Sequence, residues 1–414
     1  MNCLEKNNIP AGYKDSAMGI IPQEWEVKRL GAIAKCFSGG TPKSDSENMY
    51  GGIIPFIRSG EIHSNKTALF LTEEGLKKSS AKMVEIGDLI FALYGANSGD
   101  CAISQINGAI NQAILCIRSS KVINPFLQPY LELQKDMFIA KYLQGGQGNL
   151  SGEIVNSYTI PMPPMEEQRK IAEILDAWDE AIEKQSRLIE RLEVRKRALM
   201  QRLLTGRTRL SGFTTPWQKI KLSEMGKFDK GAGVPKDKIT SSGCKAITYG
   251  EIYTKYDYVI KDFASYIDSD TAQTSKQISS GAILFAGSGE TLEDIGKCVA
   301  FIDNDKAYAG GDIIIFNPSI EVDSLVLSYI LNSPVAIAQK RRYGQGHSVV
   351  HIYQKDLARI ELELPSLPEQ KAIAEVLTTV DDEIATHRKK LVALRQQKRG
   401  LMQQLLTGKT RVKI

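Results

Sequence analysis

One long helical segment occurs twice in the chain and governs how the rest can fold. A constant offset of 202 residues aligns residues 167–210 with 369–412 without a gap, and 20 of the 44 aligned positions are identical, which marks an internal repeat. Apolar residues recur in both copies at alternating spacings of three and four, which predicts long helices with a coiled-coil seam. The apolar seam positions are Ile171, Leu175, Trp178, Ile182, Ile189, Leu192, Leu199 and Leu203 in the first copy, and Ile373, Leu377, Val380, Ile384, Leu391, Leu394, Leu401 and Leu405 in the second.

The charge along the two copies predicts how these helices pair. The first half of each copy is acidic, with a net charge of −4 over residues 166–185 and −4 over 368–387. The second half is basic, with +4 over residues 186–204 and +6 over 388–406. Antiparallel pairing within one chain lays each acidic half beside a basic half, which is favourable. The alternative is that acids and bases only complement the dipole of each helix separately.

The helices separate two segments that also repeat, more loosely. Gly60-Glu61-Ile62 recurs as Gly250-Glu251-Ile252, and the strand-like run 87–92 recurs as 281–286. Short β-type stretches and a helix alternate in both segments, so we predict an α+β fold with two similar mixed domains in tandem. The predicted boundaries are an N-terminal lead-in at 1–24, globule 1 at 25–162, a first spacer helix at 163–209, globule 2 at 210–364 and a second spacer helix at 365–414.

Composition limits the class of protein. The 414 residues allow two or three domains, and 42% apolar with 24% charged residues is ordinary for a soluble chain. The net charge of +5 permits a nucleic-acid partner without requiring one. Six cysteines without a C-x-x-C pair, no signal-peptide layout and no apolar run of membrane length predict a cytoplasmic protein with reduced thiols.

Short motifs are spread over nearly the whole chain: Ile21-Pro22-Gln23-Glu24-Trp25, Gly40-Thr41-Pro42, Asn111-Gln112, Pro163-Pro164 with Glu167-Gln168, and Leu203-Leu204-Thr205-Gly206. Together they resemble one family, the specificity (S) subunits of type I restriction–modification systems. The unit of proline, Glu-Gln, long helix and Leu-Leu-Thr-Gly is the most specific because it occurs twice. The second copy departs slightly, with Ser366 in place of Pro164 and a shortened lead-in at 215–217.

The resemblance implies a non-catalytic subunit that directs defence against foreign DNA. Each globule would be a target recognition domain reading one half of a bipartite, asymmetric sequence in double-stranded DNA. The two helices would form an intramolecular antiparallel coiled coil with pseudo-twofold symmetry that docks two methyltransferase (M) subunits. Those subunits would N6-methylate adenine and recruit the restriction (R) subunits. No cofactor is expected in this chain, whereas S-adenosylmethionine, ATP and magnesium are expected in the partners.

The sequence contains no complete catalytic or metal-binding motif. Asn124-Pro125-Phe126 and Asn317-Pro318-Ser319 lack the second proline of an adenine methyltransferase motif, and 287–291 lacks the Gly-Lys-Ser/Thr ending of a phosphate loop. His347 and His351 lie in a strand-like stretch, where metal binding is not favoured. We therefore predict a protein that is not an enzyme. A coiled-coil adaptor and an unrecognised DNA-modifying enzyme are the alternatives.

Polar residues at turns that differ between the globules are the predicted DNA-binding groups. Amides and guanidinium groups suit base edges, and lysines suit phosphates. Each of these residues could instead be an ordinary surface residue, and Arg341-Arg342 could cap the preceding helix. The predicted set is Lys43, Tyr94, Asn97, Gln144, Gln147 and Asn149 in globule 1, and Lys236, Ser288, Lys297, Lys340, Arg341, Arg342, Gln345 and His347 in globule 2.

Overall fold

The chain divides into two compact units. A computed structural model describes residues 9–43, 47–142, 149–346 and 349–413. Unit 1 comprises residues 1–186 and 389–414, and unit 2 comprises residues 187–388. Each unit therefore contains one globule, the first half of one long helix and the second half of the other.

Unit 1 contains globule 1 with the start of one long helix. Short 3₁₀ helices lie at Glu47–Met49 and Ser59–Glu61. The elements in chain order are β1 (Tyr13–Lys14), β2 (Ile21–Pro22), β3 (Glu26–Arg29), α1 (Leu30–Ile33), β4 (Lys35–Ser38), β5 (Tyr50–Ile57), β6 (Leu69–Leu71), α2 (Glu73–Lys77), β7 (Lys82–Val84), β8 (Leu89–Ala92), β9 (Cys101–Ile103), β10 (Gly108–Ile110), β11 (Ile114–Arg118), α3 (Asn124–Tyr142), α4 (Gly152–Ser157), β12 (Thr159–Met162) and α5 (Met165–Leu203), which continues into unit 2.

Unit 2 contains globule 2 with the start of the other long helix. A 3₁₀ helix lies at Lys236–Lys238. The elements in chain order are β13 (Gln218–Lys221), α6 (Leu222–Met225), β14 (Gly226–Lys230), β15 (Cys244–Ile247), α7 (Tyr249–Thr254), β16 (Ser265–Ile267), α8 (Ser269–Thr274), β17 (Lys276–Ile278), β18 (Ile283–Ala286), β19 (Ser288–Gly289), β20 (Cys298–Ala300), β21 (Ala307–Ala309), β22 (Ile313–Pro318), α9 (Ser324–Leu331), α10 (Pro334–Tyr343), β23 (Val350–His351), α11 (Gln354–Leu357), β24 (Glu361–Leu364) and α12 (Leu367–Leu405), which continues into unit 1.

The two globules share one sheet topology. Globule 1 has four-stranded sheets ordered β6-β5-β10-β7 and β4-β11-β8-β9, and globule 2 has sheets ordered β16-β15-β21-β17 and β14-β22-β18-β20. The equivalent strands also pair in the same sense, since β5–β10 and β15–β21 are both parallel. A two-stranded sheet then closes each globule, β3 with β12 and β13 with β24. The α+β prediction and the repeat of the mixed segments are confirmed.

Each globule packs its core against the long helices of its own unit. In unit 1, Trp25 and Tyr130 are buried with Ile171 and Leu175 of α5 and with Leu405 of α12. In unit 2, the corresponding core contains Tyr329, Leu203, Leu204, Ile373 and Leu377. Full burial of a large apolar side chain stabilises a fold by roughly 1.5–3 kcal/mol, so the helices and the globule of each unit stabilise one another.

The long helices pair antiparallel within each unit. In unit 1, Lys398 of α12 donates to Asp179 of α5 at 2.5 Å, and Arg411 binds Glu167 at 2.6 Å. In unit 2, Lys196 pairs with Asp381, and Arg209 binds Glu369 at 2.6 Å. The residue number rises on one helix as it falls on the other, so each acidic half lies beside a basic half. The charge-based prediction of antiparallel pairing is confirmed in both units.

The apolar seam positions are buried or half-buried along both helices. The buried ones are Ile171, Leu175, Ile189, Leu192, Leu203, Ile373, Leu377, Val380, Ile384 and Leu405. The half-buried ones are Trp178, Ile182, Leu199, Leu391, Leu394 and Leu401.

The repeated Glu-Gln pair joins each helix to its globule. Gln168 Nε2 donates to the carbonyl of Pro163 at 3.0 Å, and its Oε1 accepts from the backbone N–H of Ile123 at 3.0 Å. Gln370 repeats this with Pro365 and Asp323, both at 2.9 Å. The motif is therefore a structural joint between a globule and a helix start, which is why proline and Glu-Gln recur together.

The glycine of each Leu-Leu-Thr-Gly segment ends its helix. Gly206 and Gly408 have φ values of +66° and +72°, the left-handed region that favours glycine at helix C-termini. A Cβ on Gly408 would also lie 2.4 Å from Pro22 Cδ. Each glycine thus lies three residues after the last residue of its helix, Leu203 in α5 and Leu405 in α12.

Candidate nucleic-acid interface

Both globules contain the same backbone frame at the end of their central strand. In globule 1, the carbonyl of Leu93 accepts from the N–H of Leu150 at 2.9 Å; in globule 2, the carbonyl of Gly287 accepts from the N–H of Ile352 at 3.0 Å. Leu150 and Ile352 are both 1% exposed. Residues 149 and 351, which precede Leu150 and Ile352, therefore occupy equivalent places at the globule surface. So do residues 94 and 288, which follow Leu93 and Gly287. We call residues 94 and 149–153 turn site 1, and residues 288 and 351–355 turn site 2.

Turn site 2 joins a hydroxyl, an imidazole, a phenol ring and an ammonium group. Ser288 and His351 pair across the ribbon of β19 and β23, and Ser288 Oγ is hydrogen-bonded to His351 Nδ1 at 3.0 Å. The rings of His351 and Tyr353 stack with centroids 6.4 Å apart and planes at 23°. Lys355 Nζ lies 5.8 Å from the centroid of the Tyr353 ring. These four residues line a cleft of about 410 Å³ together with Lys230 and Asp312.

Turn site 1 displays different chemistry on the same frame. Tyr94 is half-buried and Asn149 is exposed. Ser151 caps α4, because its hydroxyl accepts from the N–H of Ile154 at 3.2 Å. Glu153 follows at the place of Lys355. Turn site 1 thus offers an amide beside an acidic residue, where turn site 2 offers an imidazole beside a basic one.

The basic run 340–342 ends helix α10, and its members have different surroundings. Arg341 and Arg342 are exposed, and Arg341 Nη2 donates to Glu293 Oε1 at 2.5 Å. Lys340 is 1% exposed, and its Nζ donates to the carbonyl of Gly296 at 2.7 Å. Burial lowers the pKa of the Lys340 ammonium. The prediction that Lys340 contacts DNA is corrected, because its ammonium is enclosed by its own globule.

Lys297 is half-buried and is likewise used inside globule 2. Its Nζ donates to the carbonyl of Tyr256 at 2.8 Å and to that of Tyr253 at 3.4 Å. Burial lowers the pKa of this ammonium, although nearby Asp257 opposes that effect. We therefore interpret Lys297 as a group that holds the segment after α7.

The remaining predicted residues lie at separate places. Lys43 and Lys236 are exposed. Asn97 Nδ2 donates to the carbonyl of Ser59 at 3.2 Å. Gln345 is exposed, and its backbone pairs with that of His351. Gln144, Gln147 and His347 lie outside the described residues.

The predicted set of DNA-binding residues does not include His351, Tyr353 or Lys355. His351 is considered above only for metal binding, which its strand-like surroundings do not favour, and the other two residues are not singled out. The signal is present, because the offset of 202 that aligns the long helices also aligns Asn149 with His351. A surface position with the same frame and different side chains is where two recognition modules would differ.

Two other kinds of site are absent from the described ranges. No group of three or more His, Cys, Asp or Glu side chains among the described residues could hold a metal ion. No helix in that part of the chain is both long and apolar enough to span a membrane.

The family model of the type I restriction modification DNA specificity domain matches the chain twice, over residues 22–194 and 215–396. The MjaVIII specificity subunit of Methanocaldococcus jannaschii, a type I restriction enzyme subunit, is 25% identical over 95% of this chain and 94% of its own length. The putative MjaX specificity subunit of the same organism is 27% identical over 97% of both chains.

Solved structures with this fold agree with that match. The type I restriction–modification S subunit of M. genitalium superposes with a TM-score of 0.57 at 14% identity, covering 97% of this chain and 98% of its own. A chain from a study of complex assembly in the type I R-M system gives a TM-score of 0.62 at 17% identity, covering 94% and 99%. The chain therefore belongs to the family of type I restriction–modification DNA specificity subunits, which recognise DNA and are not themselves catalytic.

Proposed function

We propose that this chain reads a bipartite, asymmetric target in double-stranded DNA, with globule 1 reading one half and globule 2 the other. The observation that carries the proposal is the pair of turn sites. Their backbone frames match, whereas their side chains differ in size, charge and hydrogen-bonding groups. Two modules that bound the same ligand in the same way would have no need of that difference.

Exposed basic residues would add affinity that does not depend on sequence. Lys43, Lys236 and Arg342 are exposed and have no ion pair among the described residues. Cations of this kind neutralise DNA phosphates and release counterions, which makes binding steeply dependent on salt. Phosphate contacts position a protein on the duplex, and groups such as those of the turn sites then read base edges.

The paired long helices would dock the partner subunits. Each unit presents the first half of one helix against the second half of the other, so a partner that fits one unit meets a similar surface on the other. This supports two copies of a methyltransferase subunit, which would N6-methylate adenine and carry the restriction subunits. S-adenosylmethionine, ATP and magnesium would then be bound by those partners, and the complex would act in the cytoplasm.

Long-read methylation sequencing tests the proposal. A methylation-free host would express this chain together with its neighbouring methyltransferase subunit, beside hosts that express either one alone. We expect N6-methyladenine within one split motif, and only when both proteins are present.

Two results would contradict the proposal in different ways. Methylation of the same sites by the methyltransferase alone would remove the recognition role and favour a coiled-coil adaptor. Methylation by the purified chain with DNA and S-adenosylmethionine, without a partner, would instead favour an unrecognised DNA-modifying enzyme.

A further inference from the structure

We infer that residues 149 and 351 are equivalent specificity-determining positions, and that each reads one base pair in the half-site of its own globule. The inference rests on the proposed function and extends it from the globule to a single side chain. The two positions are the same distance along the repeat, and each directly precedes a buried residue bonded to the end of the central strand.

The equivalence is carried by the backbone and not only by sequence alignment. Strands β8 and β18 lie third in sheets of identical order. The hydrogen bonds from Leu150 to Leu93 and from Ile352 to Gly287 are nearly equal in length, 2.9 against 3.0 Å. A short helix follows in each case, α4 after Ser151 and α11 after Tyr353. Position 149 in globule 1 and position 351 in globule 2 are therefore held by the same local structure.

Asn149 has the chemistry for an adenine. Its side chain is exposed, and an asparagine amide can donate to N7 and accept from the N6 amino group of adenine in the major groove. Tyr94, which follows the strand-end carbonyl of Leu93, is half-buried in the same turn site. We assign Asn149 to an A·T pair in the first half-site.

His351 has the chemistry for a base that presents acceptors. The Ser288 hydroxyl is held 3.0 Å from Nδ1; when that hydroxyl donates, the ring proton lies on Nε2. Within the described ranges, Nε2 has no hydrogen-bond partner of its own. Guanine presents two acceptors, N7 and O6, in the major groove. We assign His351 to a G·C pair in the second half-site, with Ser288 as the residue that positions the imidazole.

Lys355 and Tyr353 fit beside such a contact. The exposed ring of Tyr353 is stacked with the ring of His351 at a centroid distance of 6.4 Å. The ammonium of Lys355 lies 5.8 Å from the centroid of the Tyr353 ring, where it can approach a phosphate. Globule 1 has Ser151 and Glu153 at these places. The second half-site is therefore expected to be bound with the larger electrostatic contribution.

The test compares Asn149→His and His351→Asn with the wild-type chain, each assembled with its methyltransferase partner. Selection of bound duplexes from a randomised DNA library gives the preference at every position of the motif. We expect each substitution to reduce the wild-type base preference by about tenfold or more at one position of one half-site, and to leave the other half-site unchanged. Asn304→His is the matched control, because Asn304 is exposed in globule 2 between Asp303 and Asp305, and we expect it to retain the wild-type motif.

The unchanged half-site also reports that the variant is folded. If both substitutions retain the wild-type preference at every position, the inference is wrong while the proposed function stands. A folded variant, with the unfolding temperature of the wild-type chain, that loses preference across a whole half-site or across both would also overturn the assignment to one base pair. If the wild-type complex selects no split motif, the proposed function itself fails.

Discussion

Globules 1 and 2 share a sheet order and a turn frame, yet their polar pairs differ at equivalent positions. The bidentate pair of Arg118 with Asp88 in globule 1 is replaced in globule 2 by Asn317 and Ala282, which follow the same strand register. The joints to the long helices, by contrast, are kept in both units. The two copies of the repeat therefore share the contacts that hold each globule to its helices. They differ in an ion pair that lies elsewhere on the globule.

The largest expected effect concerns the buried glutamates at the helix starts. Glu167 accepts from both Arg411 and the Trp25 indole N–H, whereas Glu369 accepts from Arg209. We expect Glu167→Ala to lower the free energy of unfolding of unit 1 by roughly 3–5 kcal/mol, because the ion pair of a buried carboxylate with the partly exposed Arg411 is lost and the Trp25 indole N–H is left unpaired in the core. Hydrogen–deuterium exchange, read separately in each unit, measures the loss.

Two variants sharpen that result. Glu369→Ala should weaken unit 2 somewhat less, because no indole N–H is left unpaired by it. Glu166→Ala, at an exposed neighbouring residue, should change neither unit. Equal protection in Glu167→Ala and Glu166→Ala would show that the buried pair does not stabilise the helix start.

A smaller effect distinguishes two lysines at the same place in the repeat. Lys196 pairs with Asp381 and lies 4.4 Å from the centroid of Tyr258, and Tyr329 also donates to Asp381. Lys398 pairs with Asp179, whose side chain is 56% exposed. We expect Lys196→Met to cost about 2–3 kcal/mol and Lys398→Met about 0.5–1 kcal/mol, measured by urea unfolding. Equal losses would contradict the view that the globule of unit 2 encloses this pair.

The Asp88–Arg118 pair predicts a pH dependence in globule 1 alone. Burial raises the pKa of the Asp88 carboxyl, but the Arg118 guanidinium and a hydrogen bond from the Glu85 N–H together outweigh it, so the pKa is lowered. A lowered pKa means that the stabilisation is complete above the unfolded value of about 3.9 and is lost as pH falls through the folded value. We expect Asp88→Ala to cost about 1–2 kcal/mol at pH 7.

The same substitution should matter less in acid. The difference between wild type and Asp88→Ala in hydrogen-exchange protection of globule 1 should shrink below about pH 4, near the unfolded pKa of an aspartate, while globule 2 stays unchanged. A difference that persists undiminished in acid would rule out the ion pair as its source.

The smallest effect compares two helix positions that differ by one methyl group. Gly400 lies in the interior of α12, where a methyl group in place of its hydrogen would have no atom within 4 Å apart from its own turns of helix backbone, and its equivalent in α5 is Ala198. Gly400→Ala should raise stability by about 0.5–1 kcal/mol, since glycine loses more backbone entropy in a helix. Ala198→Gly should lower it by a similar amount, and a thermal unfolding series checks both. A loss of stability in Gly400→Ala would mean that this face of α12 is more crowded than the structure shows.

The arrangement of helices and globules along the chain was predictable because it depends on periodic sequence patterns. The heptad spacing predicted the two long helices, and the acidic and basic halves predicted their antiparallel pairing. The duplication predicted two globules with one scaffold, since sheet-forming runs such as 87–92 recur as 281–286. These features depend on many residues at once, so single substitutions do not hide them.

The site was less predictable because it depends on contacts between distant residues. Ser288 and His351 lie opposite each other because β19 pairs with β23. No local sequence pattern predicts that pairing. Lys340 looks like a surface base in the run 340–342, but the turn of α10 directs it into the core. Helix phase and packing decide which lysine of a basic run is buried, so the burial of Lys340 cannot be predicted from composition.

The most direct test of the proposed function replaces globule 2 with a second copy of globule 1. Residues 217–364 would be replaced by a second copy of residues 25–162, with the helix segments retained, and the methylated motif would be sequenced in a methylation-free host with the methyltransferase partner. The account predicts a target composed of two copies of the half-site read by globule 1. A folded chain that still directs methylation to the original asymmetric motif would contradict it, because the bases would then be read by something other than the globules.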